Sequence, residues 1–389
     1  MSLTAPADRV KQLPPYLFAA IDTMKDEARA RGEDLIDFGI GDPDRPTPDH
    51  IVHALRDAAG RPELHRYPAY AGSLACRQAA AAFYAARFGV ELDPHGEILT
   101  LIGSKDGISH LPLAITNPGD LALVPDPAYP VYATTTRFVG GEVHTFGLLP
   151  DREFLPDLEQ IPEAVARQAK MIYVNYPNNP TGGVARLEDL ERILAFARRH
   201  DLLVISDLAY SEMYLDEQTP PPSFLQLEGA RERCIEFYSL SKTYNMTGWR
   251  VGFAVGNAEL VRALGKIKTN MDSGVFGVVQ QAAIAALKGD QRCVAAMRAV
   301  YRERRDLLVQ GLQQLGLQVR PQRATFYLFV RVPDGTSSMD YAGRLMRELG
   351  IVVTPGVGFG ERGEGFVRFS LTVETARIAQ AVERMKRLG

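Results

Sequence analysis

The feature that most restricts the fold begins near residue 98, where short apolar runs rich in Val and Ile alternate with longer stretches of helical periodicity. The runs are EILTLIG, LALVPD, EVHTFGL, KMIYVNYP, LLVISDLAY, CIEFYSL and RVGFAVG, and patterns such as LEDLERILAFARRHD lie between several of them. Apolar runs spaced by amphipathic helices mark strands buried on both faces. The expectation is an α/β fold with a mostly parallel seven-stranded sheet between helical layers. After Gly256 helical periodicity runs to about residue 316, and strands at TFYLFVRV, IVVTPG and FVRFSL then mix with helices in a smaller α+β unit. The sequence divides as an arm with part of the small domain (1–45), a large domain (46–285) and a small domain (286–389). Helical periodicity continues through 280–290 without a Pro or Gly/Ser linker, which suggests a long helix joining the two lobes.

Composition narrows the function. A chain of 389 residues favours two lobes over one core, and 46% apolar with 23% charged residues is ordinary globular usage. The net charge of −3, without long runs of one sign, lacks the basic footprint that draws nucleic acid or anionic lipid. Small-molecule chemistry is left. Cys76, Cys234 and Cys293 are too few and too scattered for a disulfide framework or a CxxC metal site, and are expected to be buried thiols. His50 and His53 in PDHIVHAL have no further ligand at useful spacing, so no metal is expected. No stretch has the length of a signal core or a membrane span, and the expected location is the cytoplasm.

In open α/β sheets ligands bind beyond the carboxyl ends of the strands. EILTLIG delivers Gly103-Ser104-Lys105 at the start of a helix, which suits either a phosphate or a plain N-cap. LALVPD leads to Tyr129 between two prolines, a fixed aromatic face for a planar heterocycle or for turn packing. KMIYVNYP leads to the polar turn of Asn179. LLVISDLAY ends in Asp207, with Tyr210 just beyond. A carboxylate closing so apolar a run is costly to bury unless hydrogen-bond donors or a cation meet it, the cation being either a salt-bridge partner or a protonated pyridine nitrogen.

One further stretch, EFYSLSKTYNMTGWRVGF, gathers two hydroxyls, Ser239 and Ser241, the planar fork of Arg250 and the amine of Lys242. Phosphate, carbonyl and ring nitrogen together describe pyridoxal 5'-phosphate. A lysine with an ordinary pKa is a poor nucleophile, so this one must be tuned or tied to the carbonyl.

The ordered set YPNNPTG, SDLAYSE, SLSKTYNMTGWRVG and FVRFSL resembles the fold type I aminotransferases of class I and II, over essentially the whole chain. That resemblance implies that Lys242 carries the cofactor and moves the proton, with Asp207 on the ring nitrogen, Tyr210 and Asn179 on the ring oxygen and Tyr129 stacked on the ring. It implies a phosphate cradle of Ser104, Lys105, Ser239, Ser241 and Arg250. It further implies that Arg368 grips the substrate α-carboxylate, that Gly41 approaches the substrate and that Tyr16 lies on an arm covering the site. Tyr67 would reach the phosphate of a neighbouring subunit, which makes the expected assembly a homodimer with shared active sites.

Within the family DFGIGDPDRPTPDHI, RYPAYAGSLACRQA, IGSKDGISH and PDPAYPVY look most like the bacterial enzymes that exchange an amino group between LL-2,6-diaminopimelate and 2-oxoglutarate. That pattern implies Lys105 and Asn270, beside Tyr129 and Asn179, as substrate contacts. Alternatives are an alanine- or glutamate-type aminotransferase, a β-lyase on the same fold, and a regulator built on an aminotransferase body. The regulator would need a basic N-terminal DNA-binding domain for which no residues are present. The glycines of TPGVGFGERGEGF lead into a strand and open no helix, against a dinucleotide site.

Overall fold

A computed structural model describes residues 4–11, 13 and 17–388. In chain order the strands are β1 (Ile36–Asp37), β2 (Ile98–Leu101), β3 (Leu121–Asp126), β4 (Glu142–Gly147), β5 (Ala169–Asn175), β6 (Leu203–Asp207), β7 (Cys234–Ser239) and β8 (Gly252–Gly256). The remaining four are β9 (Tyr327–Arg331), β10 (Ile351–Val352), β11 (Thr354–Pro355) and β12 (Phe366–Ser370).

The seven runs that begin near residue 98 form one sheet in the order β2-β8-β7-β6-β5-β3-β4. Only β8 runs against its neighbours. Strand side chains alternate between faces, and the continuous apolar runs supply a core on each side. Leu99, Leu101, Val124, Tyr173, Ile205 and Phe237 pack under the helices Ser104–Ile115 and Ala258–Met271. Ile98, Leu123, Ile172, Val174, Val204 and Phe253 face the opposite core, which includes Ile193 of the helix Leu187–Arg199.

The second unit holds the antiparallel sheet β11-β12-β9 and the parallel pair β1-β10, with Ile36 opposite Ile351. Ile36 and Phe38 enter its core beside Val330, Phe369 and Ile378. The early segment is thereby stitched to the C-terminal region.

The helical region after Gly256 is interrupted where periodicity alone ran on. The helix Gly277–Lys288 closes at Gly289, where a Cβ would lie 2.4 Å from the Ala285 carbonyl. Asp290 then accepts the Arg292 N–H (2.9 Å), and the helix Arg292–Gln314 starts. Gln291 donates to the carbonyls of Ala286 and Gly289, meeting acceptors the finished helix leaves open. Val294 of the new helix belongs to the large sheet's core, whereas Met297, Tyr301 and Leu308 belong to the other.

Cys76 and Cys234 are buried, as expected, but Cys293 is half-exposed; all three are free thiols. Among the described residues no helix is long and apolar enough to cross a membrane.

Candidate active site

The parallel strands β2, β3, β5, β6 and β7 deliver their following residues to one edge of the sheet. Because β8 runs the other way, Arg250, two residues before it, lies at that edge too. A cavity of about 720 Å³ opens there between the two units. Ser104, Lys105, Tyr129, Asn179, Asp207, Tyr210, Ser239, Ser241, Lys242, Arg250 and Arg368 line it, together with Gly41.

Two glycines make the phosphate-sized corner possible. Gly103 has φ +79°, and a Cβ there would lie 2.4 Å from the Arg250 guanidinium. A Cβ on Gly252 would press on the Ser104 N–H at 3.0 Å. Bare backbone lets Arg250 and the start of the helix Ser104–Ile115 converge. Ser239 accepts the Ser241 N–H at 3.2 Å and so fixes the turn carrying both hydroxyls.

Asp207 ends β6 almost fully buried. Its Oδ2 accepts the Tyr132 hydroxyl at 2.7 Å, and its carbonyl accepts Asn175 Nδ2 at 2.7 Å. Its Oδ1 is buried without a hydrogen-bond partner. Burial pushes this carboxyl up to about 6, against the opposing bonds from Tyr132 and the Ala209 N–H. The group needs a cationic or N–H partner, and its open oxygen is where one would sit.

Lys242 donates to the Gly41 carbonyl at 2.8 Å. Burial brings its amine down to about 8; Asp42 opposes the shift, while Arg368 and Arg250 add to it. With that value about a tenth of the amine is neutral at pH 7, far more than in an ordinary lysine.

Arg368, on β12, is clamped. Nη1 donates to Asn179 Oδ1 (2.9 Å) and Nη2 to the Gly39 carbonyl (3.0 Å). Its guanidinium carbon lies 4.3 Å from the Tyr327 ring centroid and 4.8 Å from that of Phe359. This fixes a planar cation at the cavity wall. Tyr210 shares a 3.0 Å hydrogen bond with the Tyr327 hydroxyl. A Cβ at Gly41 would lie 2.4 Å from that same hydroxyl, so the loop approaches Tyr327 only as glycine.

Two expected residues stand apart. Tyr67 is 88% exposed and Asn270, bonded to the Lys266 carbonyl, is exposed; neither lines the cavity. Tyr16 lies outside the described residues. Tyr132, Asn175 and Tyr327 were not anticipated. Tyr132 could have been found, being three residues after Tyr129 in PAYPVY and hence near it across one helical turn, with the rings meeting edge to face at 5.8 Å. Asp106, His110 and Asp272 cluster beside the site, but the Lys268 ammonium already bridges the two acids at 2.9 and 2.6 Å.

Residues 33–385 match the family model for aminotransferase class I and II. The chain is 54% identical over 383 residues to the LL-diaminopimelate aminotransferase of Syntrophobacter fumaroxidans, covering 98% of each protein. It is 53% identical over 382 residues to the enzyme of the same name from Aquifex aeolicus, again covering 98% of each. Among solved structures, substrate-bound BacF from Bacillus subtilis superimposes with a TM-score of 0.95 at 35% identity, over 99% of this chain and 98% of that one. A double mutant of Thermus thermophilus aspartate aminotransferase gives a TM-score of 0.93 at 31% identity over all of both chains.

Proposed function

This chain belongs to the class I and II aminotransferases, pyridoxal 5'-phosphate enzymes of fold type I, and from that premise we propose that it transfers an amino group from LL-2,6-diaminopimelate to 2-oxoglutarate. The donor assignment is supported by near-complete alignment with relatives bearing that enzyme name.

The residues present fit the cofactor. The open Asp207 Oδ1 offers a buried anion to a ring nitrogen, and the glycine-lined corner offers Ser104, Lys105, Ser239, Ser241 and Arg250 to a phosphate. Tyr129 would cover the ring, Tyr210 and Asn179 would bond its oxygen, and Lys242 would hold it covalently. When bound, the cofactor supplies an electron sink for the bonding pair released at the substrate Cα.

The chain's own residues do the rest. Arg368 holds the α-carboxylate with its fork and so fixes which Cα bond lies beside Lys242. The Lys242 amine takes the Cα proton as general base, an act that its depressed pKa favours, and returns a proton later in the turnover. Asp207, anionic against a ring N–H⁺, keeps that nitrogen protonated. Tyr132 and Asn175 hold Asp207 in place from one side and from its backbone.

The working form in this reading is a cytoplasmic homodimer with Tyr67 and Asn270 reaching the neighbouring subunit's site. Support comes from an exposed apolar patch of Tyr67, Tyr70, Met271 and Phe276, joined where the Gly274 backbone packs on Pro68 and Ala69.

The buried, half-satisfied Asp207 in the same cavity as the Lys242 amine is the observation that carries the reaction assignment. The substrate is tested by presenting holoenzyme with LL-diaminopimelate, alanine, glutamate and aspartate and following loss of the cofactor's aldehyde absorbance. LL-diaminopimelate is expected to give the highest kcat/KM among donors. Faster conversion by alanine or aspartate would reassign the donor, and release of free ammonia over many turnovers without an oxo-acid acceptor would make the protein a lyase.

A further inference from the structure

The cavity also has a wall that none of these roles uses. Lys25, on the helix Leu17–Ala30, and Asp37, closing β1, both line it. They form an ion pair with Nζ 2.8 Å from Oδ2 and side chains only 8% and 13% exposed. A pair withdrawn this far from water carries a desolvation cost, which is offset where it orders the chain or meets a charged ligand. Asp37 does order the chain: its Oδ1 accepts the Gly39 N–H at 2.9 Å, and the Gly39 carbonyl accepts Arg368. That task occupies Oδ1, and the Lys25 ammonium meets the other oxygen at the cavity wall.

We propose that Lys25 and Asp37 select the distal end of the amino donor. The inference rests on the reading of LL-2,6-diaminopimelate as donor. With its α-carboxylate on Arg368, that molecule presents a second ammonium and a second carboxylate on one carbon at its far end. An ammonium and a carboxylate 2.8 Å apart on the cavity wall match it charge for charge, the distal carboxylate to Lys25 and the distal ammonium to Asp37. Ile21, Ile40 and Val352 line the same cavity and give the intervening methylenes apolar surface. A lone cation would favour any long dicarboxylate, and a lone acid any diamine; the pair favours the molecule that carries both.

Single-turnover half-reactions of holoenzyme test this with LL-diaminopimelate, L-2-aminopimelate (far carboxylate only), L-lysine (far ammonium only) and L-glutamate, whose side-chain carboxylate sits two bonds nearer the reacting carbon. Lys25→Met should weaken the apparent binding of LL-diaminopimelate and 2-aminopimelate at least about tenfold, with limiting rates and the glutamate reaction changed less than about threefold. Asp37→Asn, which keeps an acceptor for Gly39, should weaken LL-diaminopimelate and lysine but spare 2-aminopimelate. Equal losses with all four amino acids would mean that the pair only orders the 39–41 turn, and unchanged LL-diaminopimelate binding would equally overturn the proposal. If Lys25→Met does not fold, Lys25→Arg should keep the preference and Lys25→Gln should lose it. If the wild type rejects LL-diaminopimelate, the donor reading falls. The ion pair is then judged on aminopimelate and lysine against glutamate, where selective loss sustains it and uniform loss overturns it.

Discussion

Replacing Asp207 with Asn separates what this residue does to the empty protein from what it does for the reaction. Without cofactor the carboxyl is buried with one oxygen unpaired, and its pKa rises from 3.8 to about 6. That difference corresponds to about 3 kcal/mol opposing the charged form. The folded protein therefore holds the proton more tightly than the unfolded chain, and stability falls as pH rises from about 4 to about 6 and stays low above that. Asparagine keeps an oxygen for the Tyr132 hydroxyl and has no charge to desolvate. Asp207→Asn should stabilise the cofactor-free protein by about 3 kcal/mol at pH 8 and by about half as much at pH 5. Urea unfolding of cofactor-free wild type and variant at the two pH values reads this directly. With cofactor the sign reverses, because the anion is then paired with a ring N–H⁺. The variant should lose about 10²- to 10³-fold in kcat and hold the cofactor less tightly. A variant that destabilises the cofactor-free protein equally at both pH values, or one that turns over at the wild-type rate, would refute the reasoning.

Two further outcomes follow from the geometry. Arg368→Lys removes the fork that meets Asn179 and Gly39 together and the planar contact with Tyr327 and Phe359; KM should rise about 10- to 100-fold for both donor and oxo acid, and a change confined to melting temperature would assign the arginine a structural role. Phe276→Glu sets a charge in the exposed patch, next to the His65 ring, and should weaken self-association at least about a hundredfold in sedimentation, with parallel loss of activity. A wild-type protein that sediments as a fully active monomer would remove Tyr67 and Asn270 from the site.

The large sheet was legible because its strands are buried on both faces and must be written in apolar residues, and because their polar followers then stand out. Asp207 and Lys242 were conspicuous for that reason. Tyr132, Asn175 and Tyr327 were not, since a tyrosine or asparagine within an apolar run reads as core until tertiary packing shows what its polar atom meets. The break at Gly289 was hidden because one glycine between two helices of similar periodicity carries little signal; Asp290 and Gln291 close one helix and open the next through side-chain bonds that periodicity does not report. The Lys25–Asp37 pair joins a helix to a strand of the second unit, and only the folded chain makes them neighbours. Tyr67 and Asn270 are exposed and do not line the cavity, so the part that the resemblance gives them is not read from the fold of the single chain.

The central claim is that Lys242 holds the cofactor and moves the proton. Borohydride reduction of the yellow holoprotein, followed by peptide mass mapping, tests it most directly. The account predicts one phosphopyridoxyl group, carried on Lys242, with no such adduct and no measurable turnover in Lys242→Ala. Label on another lysine, or a Lys242→Ala protein that still transaminates at the wild-type rate, would contradict it.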